Sequence, residues 1–182
     1  MISDTMFMLA ICAAAFSLIF AIICAWEDKR QLIHKLYFCT VALMLVWFVV
    51  VAGFRYISSP DGEGAYVLDS LTYLANFTPP LFLLVSLVFI TGREKLPKRS
   101  WMLFLIPLLI NILVWTNPLH HLYYRVFSIE RSGLVAGPFL LVNAVYSYGC
   151  ILTSAVLVMR FGIRSQNRLQ MAVTDFLVYR IA

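Results

Sequence analysis

Four stretches of the chain run for a membrane's thickness without a charged side chain. They are 6–26, 36–54, 70–91 and 137–159, of 21, 19, 22 and 23 residues. A helix needs roughly 20 mostly apolar residues to cross a hydrocarbon core of about 30 Å. A fifth stretch, 101–116, is apolar but only 16 residues long, with Pro107 and Asn111 inside it. Read together, the pattern predicts an all-α polytopic membrane bundle of about five helices joined by short loops. Residues 1–160 form one domain. Residues 161–182 follow as an amphipathic segment or the beginning of a sixth helix.

Charge supports the same topology. The loop after the first span holds Lys29, Arg30 and Lys35, and the loop after the third holds Arg93, Lys95, Lys98 and Arg99. The segment after the fifth holds Arg160, Arg164 and Arg168. These ten cations fall on one side of a five-span bundle, and only Arg55, Arg125 and Arg131 on the other. Cytoplasmic loops are the Lys/Arg-rich ones, so the N-terminus is expected outside and the C-terminus in the cytoplasm. Without the 101–116 span the two largest basic clusters would lie on opposite sides. Met1 to Thr5 lack the positive start of a secretory signal.

Composition then narrows the class. Hydrophobic residues make up 62%, against about 45–50% for soluble domains, and the mean hydropathy is +0.88. A chain so apolar cannot clothe a water-soluble surface. The net charge of +5 is therefore read as sorted membrane topology, and nucleic acid is excluded as a partner. Cys12, Cys24, Cys39 and Cys150 lie in or at the ends of spans, without a CxxC pair, and read as small packed hydrophobes.

Polar groups inside hydrocarbon are costly and face the bundle interior. Asn76, Asn111 and Asn143 lie in three different spans, with Tyr146, Ser147 and Tyr148 beside the last. Pro79, Pro80 and Pro107 free backbone carbonyls that must find partners. One reading is a polar pocket in the outer half of the bundle. The other is hydrogen bonding between helices that holds the bundle together.

The stretch Thr116-Asn117-Pro118-Leu119-His120-His121-Leu122-Tyr123-Tyr124 reads as a helix stop and restart at the outer boundary. Asn117 suits a cap and Pro118 a first helical position. Leu119, Leu122 and Tyr123 then form one apolar face. His120 and His121 are adjacent, so on a helix they diverge by about 100° and do not share one metal ion. No metal and no cofactor is expected. The turn-rich connection at 58–64 reads as a solvated outer loop. In the last segment Leu169, Ala172, Val173, Phe176 and Leu177 repeat with one helical face.

A family resemblance runs through 76–149. Pro79-Pro80, Ile106-Pro107, Trp115-Thr116-Asn117, His120-His121-Leu122-Tyr123, Gly137-Pro138-Phe139 and Tyr146-Ser147-Tyr148 stand in an order and spacing that resemble the N-terminal seven-transmembrane input domain of sensor histidine kinases. Relatives of that domain also precede diguanylate-cyclase modules. The family pattern has two further spans after the fifth, which this chain lacks. A phosphoacceptor-histidine helix pair, a Gly-rich ATP lid and a cyclase loop are not found in the sequence.

The resemblance implies a non-catalytic signal-input module of a bacterial plasma membrane, part of a two-component system. An outer-face or membrane stimulus would reach the cytoplasm through the fifth span. The ligand or sensing candidates are Asn76, Pro79, Asn111, Asn117, His120, His121, Asn143 and Tyr146. The bilayer is the expected partner, with a homodimer or a separate cytoplasmic output protein beside it. The alternative is a small multi-pass transporter or channel subunit, which shares intramembrane asparagines and prolines.

Overall fold

The computed structural model describes residues 4–26, 32–57, 62–128 and 133–181, and the side chains among them except those of Met6, Ala21, Cys24, Ala25, Trp26, Arg55 and 166–181. Lys29, Arg30, the turn at 58–61, Glu130 and Arg131 lie outside the described residues. So do the side chains on which the apolar face of 166–182 was read.

The long apolar runs fold as helices: α1 (Asp4–Trp26), α2 (Leu32–Gly53), α3 (Glu63–Thr72), α4 (Thr78–Thr91), α5 (Leu105–Trp115), α6 (Asn117–His120) and α7 (Pro138–Ile181). Three continuous runs are long and apolar enough to cross a membrane: Leu32–Gly53, Glu63–Thr91 and Pro138–Ser165. Phe7–Phe20 and Ser100–Trp115 are apolar but shorter. The protein is thus mostly helical and built for a membrane.

The third predicted span is two helices. A 3-10 turn, Tyr73–Phe77, separates α3 from α4, and Pro79-Pro80 stand in the first turn of α4. Proline has no amide to lose there and its fixed φ suits a helix start. The short fourth span is likewise composite, a 3-10 turn at Ser100–Phe104 leading into α5.

Helix α2 is central, packed along α1 on one side and against α3 and α4 on the other, while α4 lies along α7. Two apolar centres result. Leu36, Leu81, Leu84 and Val88 form one, with Leu96, Leu103 and Phe104 against it. Ile110, Val114, Tyr123 and Tyr124 form the other, with Tyr66, Tyr73, Phe127 and Phe139 around them. Small polar residues close the α4–α7 seam. Ser86 donates to the Phe82 carbonyl at 2.9 Å and accepts from the Ser154 hydroxyl, which lies 3.3 Å from the same carbonyl. Small side chains let membrane helices approach closely. The outer faces of α1 and α7 stay apolar and exposed, as at Leu9, Phe16, Leu141, Val145 and Leu152, which suits lipid contact.

Two local expectations fail. The helix restarting at Asn117 lasts only four residues, because His121 takes a left-handed conformation (φ 52°) and ends it. Leu119 and Tyr123 therefore share no face: Leu119 is 85% exposed and Tyr123 1%. The chain beyond is also not helical. Strands β1 (Tyr124–Val126) and β2 (Val135–Ala136) pair antiparallel, with an irregular register between Tyr124 and Val126. The all-α expectation thus gives way at this one hairpin, where the backbone is held by side chains from elsewhere.

Gly137 sits where this hairpin meets α7. Its amide donates to the Tyr123 carbonyl at 2.8 Å. A β-carbon there would lie 2.1 Å from the Leu122 carbonyl oxygen and 2.8 Å from that of Tyr123. Both obstacles are backbone and cannot swing aside. Gly92 differs, having a positive φ of 60° but open space around it. Gly137→Ala is expected to destabilise by about 3 kcal/mol, the upper end for overpacking. Gly92→Ala should cost nearer 1 kcal/mol, the left-handed penalty alone. Thermal unfolding of both variants in detergent micelles checks the ranking.

Candidate functional site

The end of the bundle that carries the β1–β2 hairpin is organised by one side chain. Asn117 is 3% exposed and uses its amide completely. Its Oδ1 accepts from the backbone amides of Tyr123 (2.8 Å) and Tyr124 (3.0 Å), and its Nδ2 donates to the Tyr124 carbonyl at 3.0 Å. Asn117 therefore clamps the segment that follows. It makes no side-chain cap on α6, contrary to the capping expectation, because its oxygen is committed six and seven residues ahead.

The clamp presents Tyr123 and Tyr124 inward. Tyr124 donates to Asp69 Oδ2 at 2.8 Å. Its hydroxyl oxygen also meets the Tyr73 hydroxyl. A phenol has one proton, and that of Tyr124 is engaged on Asp69, so Tyr73 is the donor to Tyr124. Burial raises the pKa of both Tyr123 and Tyr124 above the usual phenol value, so both remain donors.

Tyr123 extends the network to α7. Asn143 Nδ2 donates to the Tyr123 hydroxyl at 3.0 Å and lies 3.4 Å from Asn76 Oδ1. Asn76 itself is on the 3-10 break between α3 and α4. Asn111 Nδ2 donates to the carbonyls of Tyr73 (3.0 Å) and Pro107 (2.9 Å). Three buried atoms near this break have no protein partner: Asn76 Nδ2, Asn111 Oδ1 and Thr78 Oγ1.

Two prolines explain two tyrosines. Pro107 removes the amide that would close an α-helical bond on the Leu103 carbonyl, and the Tyr146 hydroxyl donates to that carbonyl instead. Pro118 stands four residues after Val114, and the Tyr66 hydroxyl donates to the Val114 carbonyl. Each freed acceptor is met by a hydroxyl from another helix.

The two histidines part company. His120 Nδ1 accepts from the Leu122 amide at 3.1 Å, and its Nε2 lies 3.0 Å from Thr116 Oγ1. An acceptor Nδ1 puts the proton of the neutral ring on Nε2. Thr116 Oγ1 in turn donates to the Ile112 carbonyl at 2.7 Å. His120 is thus spent on local structure. His121 instead lines a cavity of about 480 Å³ between the first turns of α3 and the segment after α5. Tyr66, Val67, Tyr124 and Phe127 supply its apolar and aromatic wall, Glu63 and Arg125 its charge, and His121 an imidazole. Asn117 also lines it.

The eight sequence candidates therefore occupy distinct places. Asn117 and His121 reach the cavity. Asn76, Asn111 and Asn143 lie in the network behind it. His120 braces the loop, Tyr146 caps the Leu103 carbonyl in the 3-10 turn before α5, and Pro79 stands in the first turn of α4. Tyr66, Asp69, Tyr73, Tyr123, Tyr124 and Arg125 were missed. A signal existed for the first three, spaced three and four apart: Tyr66 and Asp69 lie on one face of α3, and Tyr73 follows at its C-cap.

A helical membrane bundle with a polar, proline-broken interior and a cavity at one end defines the class: a polytopic membrane protein. The chain belongs to the family described as the N-terminal 7TM region of histidine kinase, which matches residues 9–176. That region is the kinases' sensory input part and not their catalytic part. The match covers nearly the whole chain, well beyond the 76–149 motifs. No curated protein and no solved structure matches the chain.

The network ranks three substitutions. Tyr66→Phe and Tyr146→Phe each delete one interhelical hydrogen bond and should cost about 0.6–1.7 kcal/mol. Asn117→Ala removes three bonds and leaves two buried amides unanswered, so about 3 kcal/mol or more is expected. Limited proteolysis of the 117–136 segment, beside unfolding in micelles, separates local loosening from global loss.

Proposed function

We propose that the protein is the membrane-embedded input module of a two-component signalling system in a bacterial plasma membrane. It crosses the bilayer five times, the shorter runs Phe7–Phe20 and Ser100–Trp115 completing three longer ones. Its N-terminus lies outside and its C-terminus in the cytoplasm. The cavity at Glu63, His121 and Arg125 faces outward and receives the stimulus.

One observation carries this reading: the wall of the cavity is also the start of a bonded path to α7. Tyr124 and Asn117 line the cavity. Asn117 sets the backbone of Tyr123, and Tyr123 is bonded to Asn143 on α7. Helix α7 then continues to Ile181. A sensor needs two packings of similar energy, with the stimulus favouring one. The unpartnered Asn76 Nδ2, Asn111 Oδ1 and Thr78 Oγ1 support such a second arrangement, since a small shift offers them new partners. The output is a cytoplasmic kinase partner, reached as a homodimer or through a separate chain. Asn76, Asn143 and Asn117 act as couplers, and His121 as a ligand contact.

Topology is tested in a cysteine-free chain carrying Glu63→Cys or Lys95→Cys. A membrane-impermeant maleimide applied to intact cells should label the first and reach the second only after lysis. The reverse pattern sinks the orientation. Coupling is tested by fusing a histidine-kinase output after residue 182. Asn143→Leu, which cuts α7 from Asn76 and Tyr123, should shift basal autophosphorylation about fivefold, the scale of a 1 kcal/mol bias. Leu141→Ala, on the exposed face of α7, should leave it unchanged. Equal effects of the two would remove the proposed path.

A further inference from the structure

The opposite end of the Glu63–Thr91 run carries a second, differently built cavity. Gly92 ends α4 in the left-handed region, its amide donating to the Val88 carbonyl at 2.8 Å. Beyond this turn lies a cavity of about 630 Å³, between the first turn of α2 and the last turn of α4. One part of its lining is apolar: Leu32, Ile33, Val88 and Phe89. The other is the turn itself, with Arg93 and Lys95 flanking Glu94. Leu96, just past the turn, packs on the core of Leu36, Leu81, Leu84 and Val88. The cationic turn is therefore anchored to the bundle.

We propose that this cavity binds the headgroup of an anionic phospholipid, with the phosphate between Arg93 and Lys95 and the first part of an acyl chain along Val88 and Phe89. The guanidinium offers paired donors and the ammonium a compact charge, both suited to phosphate oxygens. Two cations outweigh the single Glu94 carboxylate. A free phosphate ion would use only the polar part of the lining. A lipid uses both parts, and Phe89, 55% exposed, connects the cavity to the apolar outer surface of the bundle. Basic pockets between helices at a membrane boundary select such headgroups. The site does not depend on the sensor reading. It bridges α2 and α4 at the end remote from His121.

Lys98 and Arg99 provide a charge-matched control, being on the same loop but not in the lining. The full chain, purified in detergent, is incubated with phosphatidylglycerol or phosphatidylcholine, and retained lipid is read by native mass spectrometry. The wild-type chain is expected to retain phosphatidylglycerol about fivefold over phosphatidylcholine, the scale of one headgroup contact of about 1 kcal/mol. The Arg93→Gln/Lys95→Gln chain should fall to the phosphatidylcholine level, and the Lys98→Gln/Arg99→Gln chain should keep the preference. Ile33→Trp, which crowds the apolar part of the lining with all cations intact, should weaken it too. Equal loss in both charge pairs, retention in Ile33→Trp, or no preference in the wild-type chain overturns the proposal. Displacement of the lipid by inorganic phosphate alone would make the site one for the free ion and overturn it as well.

Discussion

A carbonyl stranded by proline inside hydrocarbon has no water to turn to, and the bundle is organised around answering that need. Helix α5 has Pro107 within it and Pro118 just beyond its end. The Leu103 carbonyl is met by Tyr146 from α7, and the Val114 carbonyl by Tyr66 from α3. Each repair is also a tie between helices. The same prolines that weaken α5 as an isolated helix thus fasten it at both ends to its neighbours.

The β1–β2 hairpin follows the same logic. Asn117 satisfies three backbone groups of Tyr123 and Tyr124, and Gly137 brings the start of α7 against Leu122 and Tyr123 at a distance only a bare α-carbon allows. With the backbone held, both tyrosine side chains turn inward, one toward Asp69 and the other toward Asn143. Loop, broken helix and α7 are then parts of one hydrogen-bonded body, although their apolar surfaces alone would let them slide.

Spans were legible because hydropathy is a sum over many residues and tolerates local error. The break at Tyr73–Phe77 was visible in outline, since Asn76 and Pro79-Pro80 interrupt an apolar run, and the value of Asn76, Asn111 and Asn143 as interior groups came from their depth. What failed were features set by single long-range bonds. Nothing local to Asn117 says that its side chain reaches Tyr124 and not the amides of its own helix, so a face of Leu119, Leu122 and Tyr123 was read where none exists. Gly137 likewise looks like a turn residue until Leu122 is placed against it. Asp69 stands just before an apolar run with nothing local to mark it, its tyrosine partner being 55 residues away.

Helix α7 spans 44 residues, roughly 66 Å at 1.5 Å per residue, about twice a hydrocarbon core. No proline interrupts it after Pro138. Tyr123 and Asn76 hold Asn143 within its second turn, close to one end of the rod. Along so long a lever, a tilt of a few degrees at that end becomes a displacement of several ångströms at the other.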